Sequence, residues 1–272
     1  MAYTLEVLFR LLGIGAASGL AYCGELLYVI SDDSAYLYEY RIADHSLTRI
    51  VLAGAEVMED IPKAKKFDFE AITVHDGNVY AFGSGSTQNR NVMARVRKGK
   101  ADITDLSNFY GALRKKSGIP DVDFNIEGAA FHDDRLYLLQ RGNGPLSHNG
   151  IFVCDADFSG RNIAYYSIPI PSHDGNVFGF TDMAIHGGKI YFTAAAEKVL
   201  STYLDGEIAG SLFGVIDLQT LRIEKTVPLG NAHKFEGIAF YSENPHEMQF
   251  LLCEDRDAKA DAAEIYRLAI KK

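Results

Sequence analysis

Five short segments recur along the chain with 52 to 57 residues between successive copies, and no other feature limits its fold as much. They are Ser18-Gly19-Leu20-Ala21-Tyr22, Glu70-Ala71-Ile72-Thr73-Val74, Glu127-Gly128-Ala129-Ala130-Phe131, Thr181-Asp182-Met183-Ala184-Ile185 and Glu236-Gly237-Ile238-Ala239-Phe240. A period of this size marks one supersecondary unit copied along the chain, each copy burying its apolar surface against the next. A tyrosine lies nine positions after the second residue of the first four segments, at Tyr28, Tyr80, Tyr137 and Tyr191. Between the two landmarks sit turn formers, among them His75-Asp76-Gly77-Asn78, His132-Asp133-Asp134-Arg135 and His186-Gly187-Gly188-Lys189. Asp-Gly and Gly-Gly between short apolar runs predict hairpins, because glycine accepts the positive φ of a tight turn. The fifth copy has a turn four residues longer, through Asn244 and Pro245.

Each copy continues with two more strand-like runs, such as 36–41 and 47–52 in the first and 211–216 and 222–228 in the fourth. Four short strands per copy describe a propeller blade, and only 106–116 invites a short helix. The last copy ends after a third strand, 264–270, and the apolar run 3–12 can supply the missing outer strand. Closure removes the unpaired strand edges that an open ring would expose. The expectation is an all-β fold: a five-bladed β-propeller with four-stranded blades, its ring closed by the N-terminal strand, with residues 1–272 forming a single domain. A solenoid is the rival, but it needs polar capping repeats, and these ends are apolar.

The net charge of −9 argues against nucleic-acid binding, which relies on a basic surface. An anionic substrate would therefore need a local metal or a local group of Arg and Lys. The cysteines, Cys23, Cys154 and Cys253, form no CxxC pair and read as buried reduced thiols inside strands. The apolar start is interrupted by Glu6 and Arg10 and is too short to span a bilayer, so neither a signal peptide nor membrane association is expected, and the cytoplasm is favoured. Oligomeric state is left open.

In a propeller the first strand of each blade lines the central channel, so equivalent repeat positions converge on the axis. Ser18, Glu70, Glu127, Thr181 and Glu236 are equivalent, with Asp182 one further along. Three glutamates facing one another raise each other's pKa unless something compensates. A hard cation is one compensation: Ca²⁺ accepts six to eight oxygens, and Mg²⁺ demands stricter geometry. The other is a network of hydrogen bonds to backbone amides and arginine with no metal. A second ring follows the tyrosine strand and includes Asp32, Ser84, Arg141, Glu197 and Asp255, with Arg141 and Arg256 in similar places and Arg90 after the Gly83-Ser84-Gly85-Ser86 loop. Guanidinium groups hold phosphate or carboxylate bidentately. Lys63, Lys65 and Lys66 read first as solvated loop charges. His75, His132 and His186 read as turn architecture, and His173 and His233 as candidates for the channel mouth.

Phe69-Glu70-Ala71-Ile72, Ile126-Glu127-Gly128-Ala129-Ala130 and Phe235-Glu236-Gly237-Ile238-Ala239 resemble the Glu-Gly-Leu/Ile repeats of esterase-like phytase propellers and calcium-activated apyrases. With Phe82-Gly83-Ser84-Gly85-Ser86 and Arg90, the chain is closer still to an uncharacterised bacterial propeller family related to these. The resemblance implies a calcium ion near Glu70, Glu127 and Glu236, with Asp182 substituting by a small shift, and a small phosphorylated molecule above it. Ser18 and Thr181 depart from the pattern, which prefers an acid there. On this reading the chain is a calcium-dependent phosphoester or phosphoanhydride hydrolase: Arg90, Arg141 and Arg256 clamp phosphate, and Asp32 or Glu197 orients water. The alternative is a non-catalytic binding module pinned by a structural axial cation.

Overall fold

The computed structural model describes residues 2–198, 207–255 and 262–272, so Arg256 lies outside the described residues. Strand β1, Tyr3–Leu12, opens the chain and is followed by four consecutive four-stranded meanders. Blade 1 comprises β2 (Gly19–Cys23), β3 (Leu26–Ile30), β4 (Tyr36–Arg41) and β5 (Ser46–Val51). Blade 2 comprises β6 (Phe69–His75), β7 (Asn78–Gly83), β8 (Val92–Arg97) and β9 (Lys100–Asp105). The single α-helix among the described residues, α1 (Ser107–Ser117), then leads into blade 3: β10 (Ile126–His132), β11 (Arg135–Gln140), β12 (Gly150–Asp155) and β13 (Ala164–Ser167). Blade 4 has β14 (Gly179–His186), β15 (Lys189–Glu197), β16 (Ile208–Asp217) and β17 (Ile223–Gly230). Blade 5 has β18 (Phe235–Glu243), β19 (Glu247–Glu254) and β20 (Ala262–Lys271), completed by β1 in the order β1-β20-β19-β18.

The chain is thus an all-β, five-bladed propeller, closed as its sequence implies: β1 runs antiparallel to β20 from Tyr3 opposite Ile270 to Leu12 opposite Ala262. Its apolar core is divided among the blade interfaces. Ala21, Ile30 and Leu37 of blade 1 pack on Phe69, Ile72 and Ala81 of blade 2. Phe213 of blade 4 meets Phe235 and Phe250 of blade 5, and Leu20 and Tyr38 of blade 1 meet Leu251 and Ile265 across the closure. Both faces of a blade are therefore covered, which is why the strands read as nearly continuous apolar runs rather than strict alternations. Helix α1 seals the outer end of the blade 2–blade 3 interface through Phe109, Tyr110 and Leu113. Two of the hairpin-tip histidines are packing residues, His75 stacking on Phe131 and His186 on Phe240, each one blade further round, whereas His132 lies beside Asp133.

The first strands β2, β6, β10, β14 and β18 are neighbours in a ring around the axis. The Gly of the Glu-Gly motif permits this approach. A Cβ on Gly237 would lie 2.8 Å from the Leu20 amide nitrogen, and one on Gly128 would lie 3.2 Å from the Asp182 Cα. The two halves of the motif therefore divide the work, with glycine admitting the next blade and glutamate facing the axis. Among the described residues no helix is long and apolar enough to cross a membrane.

Candidate functional site

The residue at the repeat position is a β-bulge in four blades. The ladder between the two inner strands skips Glu70 in blade 2, Glu127 in blade 3, Thr181 in blade 4 and Glu236 in blade 5. A bulged residue leaves the pairing alternation, which re-aims its side chain. Where that residue carries a hydroxyl, it braces the next blade: Ser18 Oγ donates to the Phe69 carbonyl and Thr181 Oγ1 to the Phe235 carbonyl, both at 2.7 Å. Each hydroxyl thus holds the backbone immediately before a glutamate.

On one side of the axis, the glutamates are compensated by protein cations. The Arg141 guanidinium, just beyond β11, donates to Glu127 Oε1 at 3.2 Å, Glu236 Oε1 at 3.4 Å and Glu197 Oε1 at 2.9 Å. Lys234 Nζ, just before β18, reaches Glu197 and Glu236 at 3.1 Å each and Asp255 at 3.5 Å. Arg141 and Lys234 are each only 5% exposed. Burial alone would lower both cations' pKa, but the surrounding carboxylates hold them well above their ordinary values. Burial likewise opposes ionisation of Glu197, yet Arg141 and Lys234 keep its carboxyl below the usual range. Glu236, buried in the same network, is pushed up to about 8 despite Lys234.

On the other side, Asp32, Asp68 and Glu70 bring carboxylate oxygens all within 4.8 Å of one another, the one such group of three or more metal-type side chains among the described residues. Asp68 is held rigidly: Arg90 NH1 donates to its Oδ2 at 2.7 Å, and Ser84 Oγ donates to the same oxygen at 2.5 Å. Its backbone has φ +57, a left-handed conformation that costs energy and persists only where surrounding contacts enforce it. Lys66 Nζ donates to Asp32 Oδ2 at 2.5 Å, and burial still pushes the Asp32 carboxyl up to about 6. Glu70 forms no direct ion pair among the described residues, although its charge bears on Lys66 and Arg141. Burial, then the charges of Glu127, Asp68 and Asp32, push its pKa well above the ordinary value. Glu127 spends Oε1 on Asn125 and Arg141, whereas its Oε2 is buried with no hydrogen-bond partner.

The expected residues are therefore sorted into two groups. Glu127 and Glu236 do meet across the axis, bridged by Arg141, and Glu70 joins Asp32 and Asp68. Asp182 does not take the axial place left by Thr181: it pairs in register with Thr193, and its carboxylate accepts the Met183 and Ile238 amides at 2.7 and 2.8 Å, clipping blade 4 to blade 5. Arg90 is 2% exposed and committed to Asp68 and Ser86, so it positions Asp68 rather than meeting a ligand. Arg141 and Glu197 are engaged with each other. Asp32 lies among the carboxylates and not apart from them. Lys65 is a surface charge paired with Glu56, but Lys66 enters the funnel. His233 turns to Glu254 at 2.7 Å, and His173 lies in a short bridge with Asn176.

Lys234, Asp68 and Asn125 escaped the sequence reading, although a signal was present. Each stands two positions before a blade-opening glutamate, a polar residue leading an apolar strand. Ser211 Oγ fixes the Lys234 segment, accepting from the Phe235 amide and donating to the His233 carbonyl.

Solved structures share this architecture at low identity. The glutaminyl cyclase of Myxococcus xanthus matches with a TM-score of 0.56 and 9% identity, over 98% of this chain and 97% of that one. The PQQ-bound aldose sugar dehydrogenase of Streptomyces coelicolor matches with a TM-score of 0.55 and 15% identity, over 98% of both chains. The GH43 protein BlXynB of Bacillus licheniformis gives 0.51 and 10%, over 94% of this chain and 53% of that one. At these identities the likeness is one of fold. No curated protein sequence is a significant match. The model of a Family of unknown function (DUF6929) matches residues 13–270, nearly the whole propeller, and the chain belongs to that family.

Proposed function

We propose that the axial funnel is a hydrolytic site for a small phosphorylated molecule, assisted by a divalent cation, for which Ca²⁺ fits better than Mg²⁺. The observation that carries this reading is the cluster of Asp32, Asp68 and Glu70, whose oxygens lie within 4.8 Å of one another and whose Glu70 forms no direct ion pair among the described residues. Lys66 and Arg90 offset the charges of Asp32 and Asp68, and the remaining charge of Glu70 calls for a proton or a cation. An all-oxygen donor set suits a hard cation, and Ca²⁺ accepts a wider range of coordination geometries than Mg²⁺. The buried, unpartnered Glu127 Oε2 adds a further oxygen whose charge bears on Glu70. When bound, the cation supplies Lewis acidity, stabilising charge on a phosphoryl oxygen and making water more nucleophilic.

The chain's own residues supply the rest. Arg90 and Ser84 fix the orientation of Asp68. Glu236, its carboxyl pushed up to about 8 by burial, is the candidate proton donor to a leaving group, while Glu197, held below the usual carboxylate range, keeps Arg141 and Lys234 in place. Two carboxyls whose environments drive their pKa values apart divide acid and base roles in this way. Two of the compared proteins, the cyclase and the dehydrogenase, are enzymes by name, so such a frame is compatible with a catalytic role. Calorimetric titration with Ca²⁺ and Mg²⁺, followed by a screen of nucleotide and inositol phosphates for phosphate release with and without chelator, tests the proposal. It fails if the cation binds and no phosphoester is turned over, or if turnover is indifferent to chelator.

A second reading is a non-catalytic binding module with a structural axial cation. It is favoured by the full commitment of Arg141 and Lys234 to Glu127, Glu197, Glu236 and Asp255, which makes the axis a pin between blades. Cation-dependent melting without any turnover would select it.

A further inference from the structure

Lys66 occupies an unusual place for a residue of the loop before β6. Its ammonium lies 2.5 Å from Asp32 Oδ2, and the charges of Asp33 and Glu70 also stabilise it, while its own charge acts on Asp68. It therefore stands within the carboxylate group and not at its edge. We propose that Lys66 is the resident counter-cation of this site, that it exchanges places with the divalent cation, and that on release it becomes a ligand for the anionic group of the substrate. The inference rests on the cation reading above and adds how the site is regulated.

Three observations favour exchange at Lys66 over the other cations. Arg90 is tied to Asp68, Ser86 and the Lys63 carbonyl, and is 2% exposed, so it cannot leave without breaking a buried network. Arg141 and Lys234 are similarly enclosed by several carboxylates. Lys66 keeps a partly exposed side chain, and among the described residues its ammonium bonds only to Asp32, itself partly exposed. Its backbone is anchored, with the Asn89 side-chain amide donating to its carbonyl at 2.7 Å. The flexible four-carbon stem can thus swing while the chain stays fixed. A divalent ion and an ammonium sharing Asp32 Oδ2 would repel strongly at such a separation. The displaced ammonium remains tethered beside the site, free to meet an anion held there. Cation binding and anion binding must then strengthen each other reciprocally.

The test uses the intact protein and three forms: wild type, Lys66→Met and Lys66→Arg, each first shown to melt cooperatively in chelator, with Lys66→Gln replacing Met if that variant does not fold. Ca²⁺ dissociation constants are measured by calorimetry, and inorganic phosphate is then titrated in chelator and at saturating Ca²⁺. Removing the competing charge should tighten Ca²⁺ binding on the order of tenfold, a coupling within the usual range for groups in one network. Lys66→Arg should stay near wild type. Ca²⁺ should enhance phosphate binding in wild type and lose that effect in Lys66→Met. Equal or weaker Ca²⁺ binding by Lys66→Met overturns the inference while leaving the cation site standing. Absence of Ca²⁺ binding in wild type and Lys66→Met alike removes the site itself, and a Ca²⁺ effect on phosphate that survives in Lys66→Met overturns the anion role.

Discussion

Replacing Arg141 with methionine isolates the main electrostatic claim about the axis. The guanidinium serves Glu127, Glu197 and Glu236, but Lys234 remains 3.1 Å from each of the last two. Glu127 is the carboxylate left without a hydrogen-bonded cation: it is 2% exposed, keeps the Asn125 amide and feels the Lys234 charge only at longer range. Breaking a buried ion pair by removing one partner costs about 3–5 kcal/mol. Glu127 can limit that cost by taking up a proton, which for a carboxyl with an unfolded pKa of about 4.3 costs about 3.7 kcal/mol at pH 7 and about 1 kcal/mol at pH 5. Arg141→Met should therefore be destabilised by about 3–4 kcal/mol at pH 7 and by only about 1 kcal/mol at pH 5. The folded variant binds a proton that the unfolded chain has lost, so its stability relative to wild type falls as pH rises. Urea unfolding of both proteins at the two pH values, with chelator present, gives the difference directly. A loss below about 1 kcal/mol at pH 7, or the same loss at both pH values, would refute the assignment of Arg141 as the counter-charge that Glu127 requires.

In wild type with chelator, the carboxyls raised to about 6 at Asp32 and about 8 at Glu236 bind protons in the folded state that unfolded carboxylates have released. The urea midpoint should accordingly fall between pH 6 and pH 8, with Glu236 contributing up to about 1.4 kcal/mol per pH unit, and added Ca²⁺ should flatten the slope; a midpoint that rises over this window contradicts it. Asp182→Asn should cost about 1–3 kcal/mol by chemical denaturation, because both carboxylate oxygens accept backbone amides and an NH₂ group cannot; an unchanged midpoint would show that the clip between blades 4 and 5 carries little energy. Gly214→Ala places a Cβ 2.1 Å from the Phe192 ring in blade 4 and should destabilise by at least about 1–3 kcal/mol. Gly111→Ala meets nothing within 4 Å in α1 and should stabilise by up to about 1 kcal/mol, so thermal melts of the two variants should move in opposite directions.

The propeller was legible because it is written in local terms. Hairpin turns such as Asp76-Gly77 and Gly187-Gly188 lie between the inner strands they join, and a copied unit makes the number of blades countable along the chain. The closing strand was legible too, since the last copy lacked a strand and residues 3–12 offered one. The convergence of Glu127 and Glu236 followed from that symmetry. Asp182 is where symmetry misled: a one-residue shift along β14 moves a side chain from the bulge to the paired register, and hence from the axis to the next blade.

The repeat encodes the blade count, the ring closure and the meeting of Glu127 with Glu236. Which charges each axial carboxylate meets, and the grouping of Glu70 with Asp32 and Asp68, arise only on folding. Lys66 and Lys234 sit in loops whose paths are not encoded by any period, and Arg141 reaches Glu236 across 95 residues of chain. Pairing between buried charges depends on separations of a few ångströms in a medium that screens poorly, and such distances are set by how five blades close around one axis.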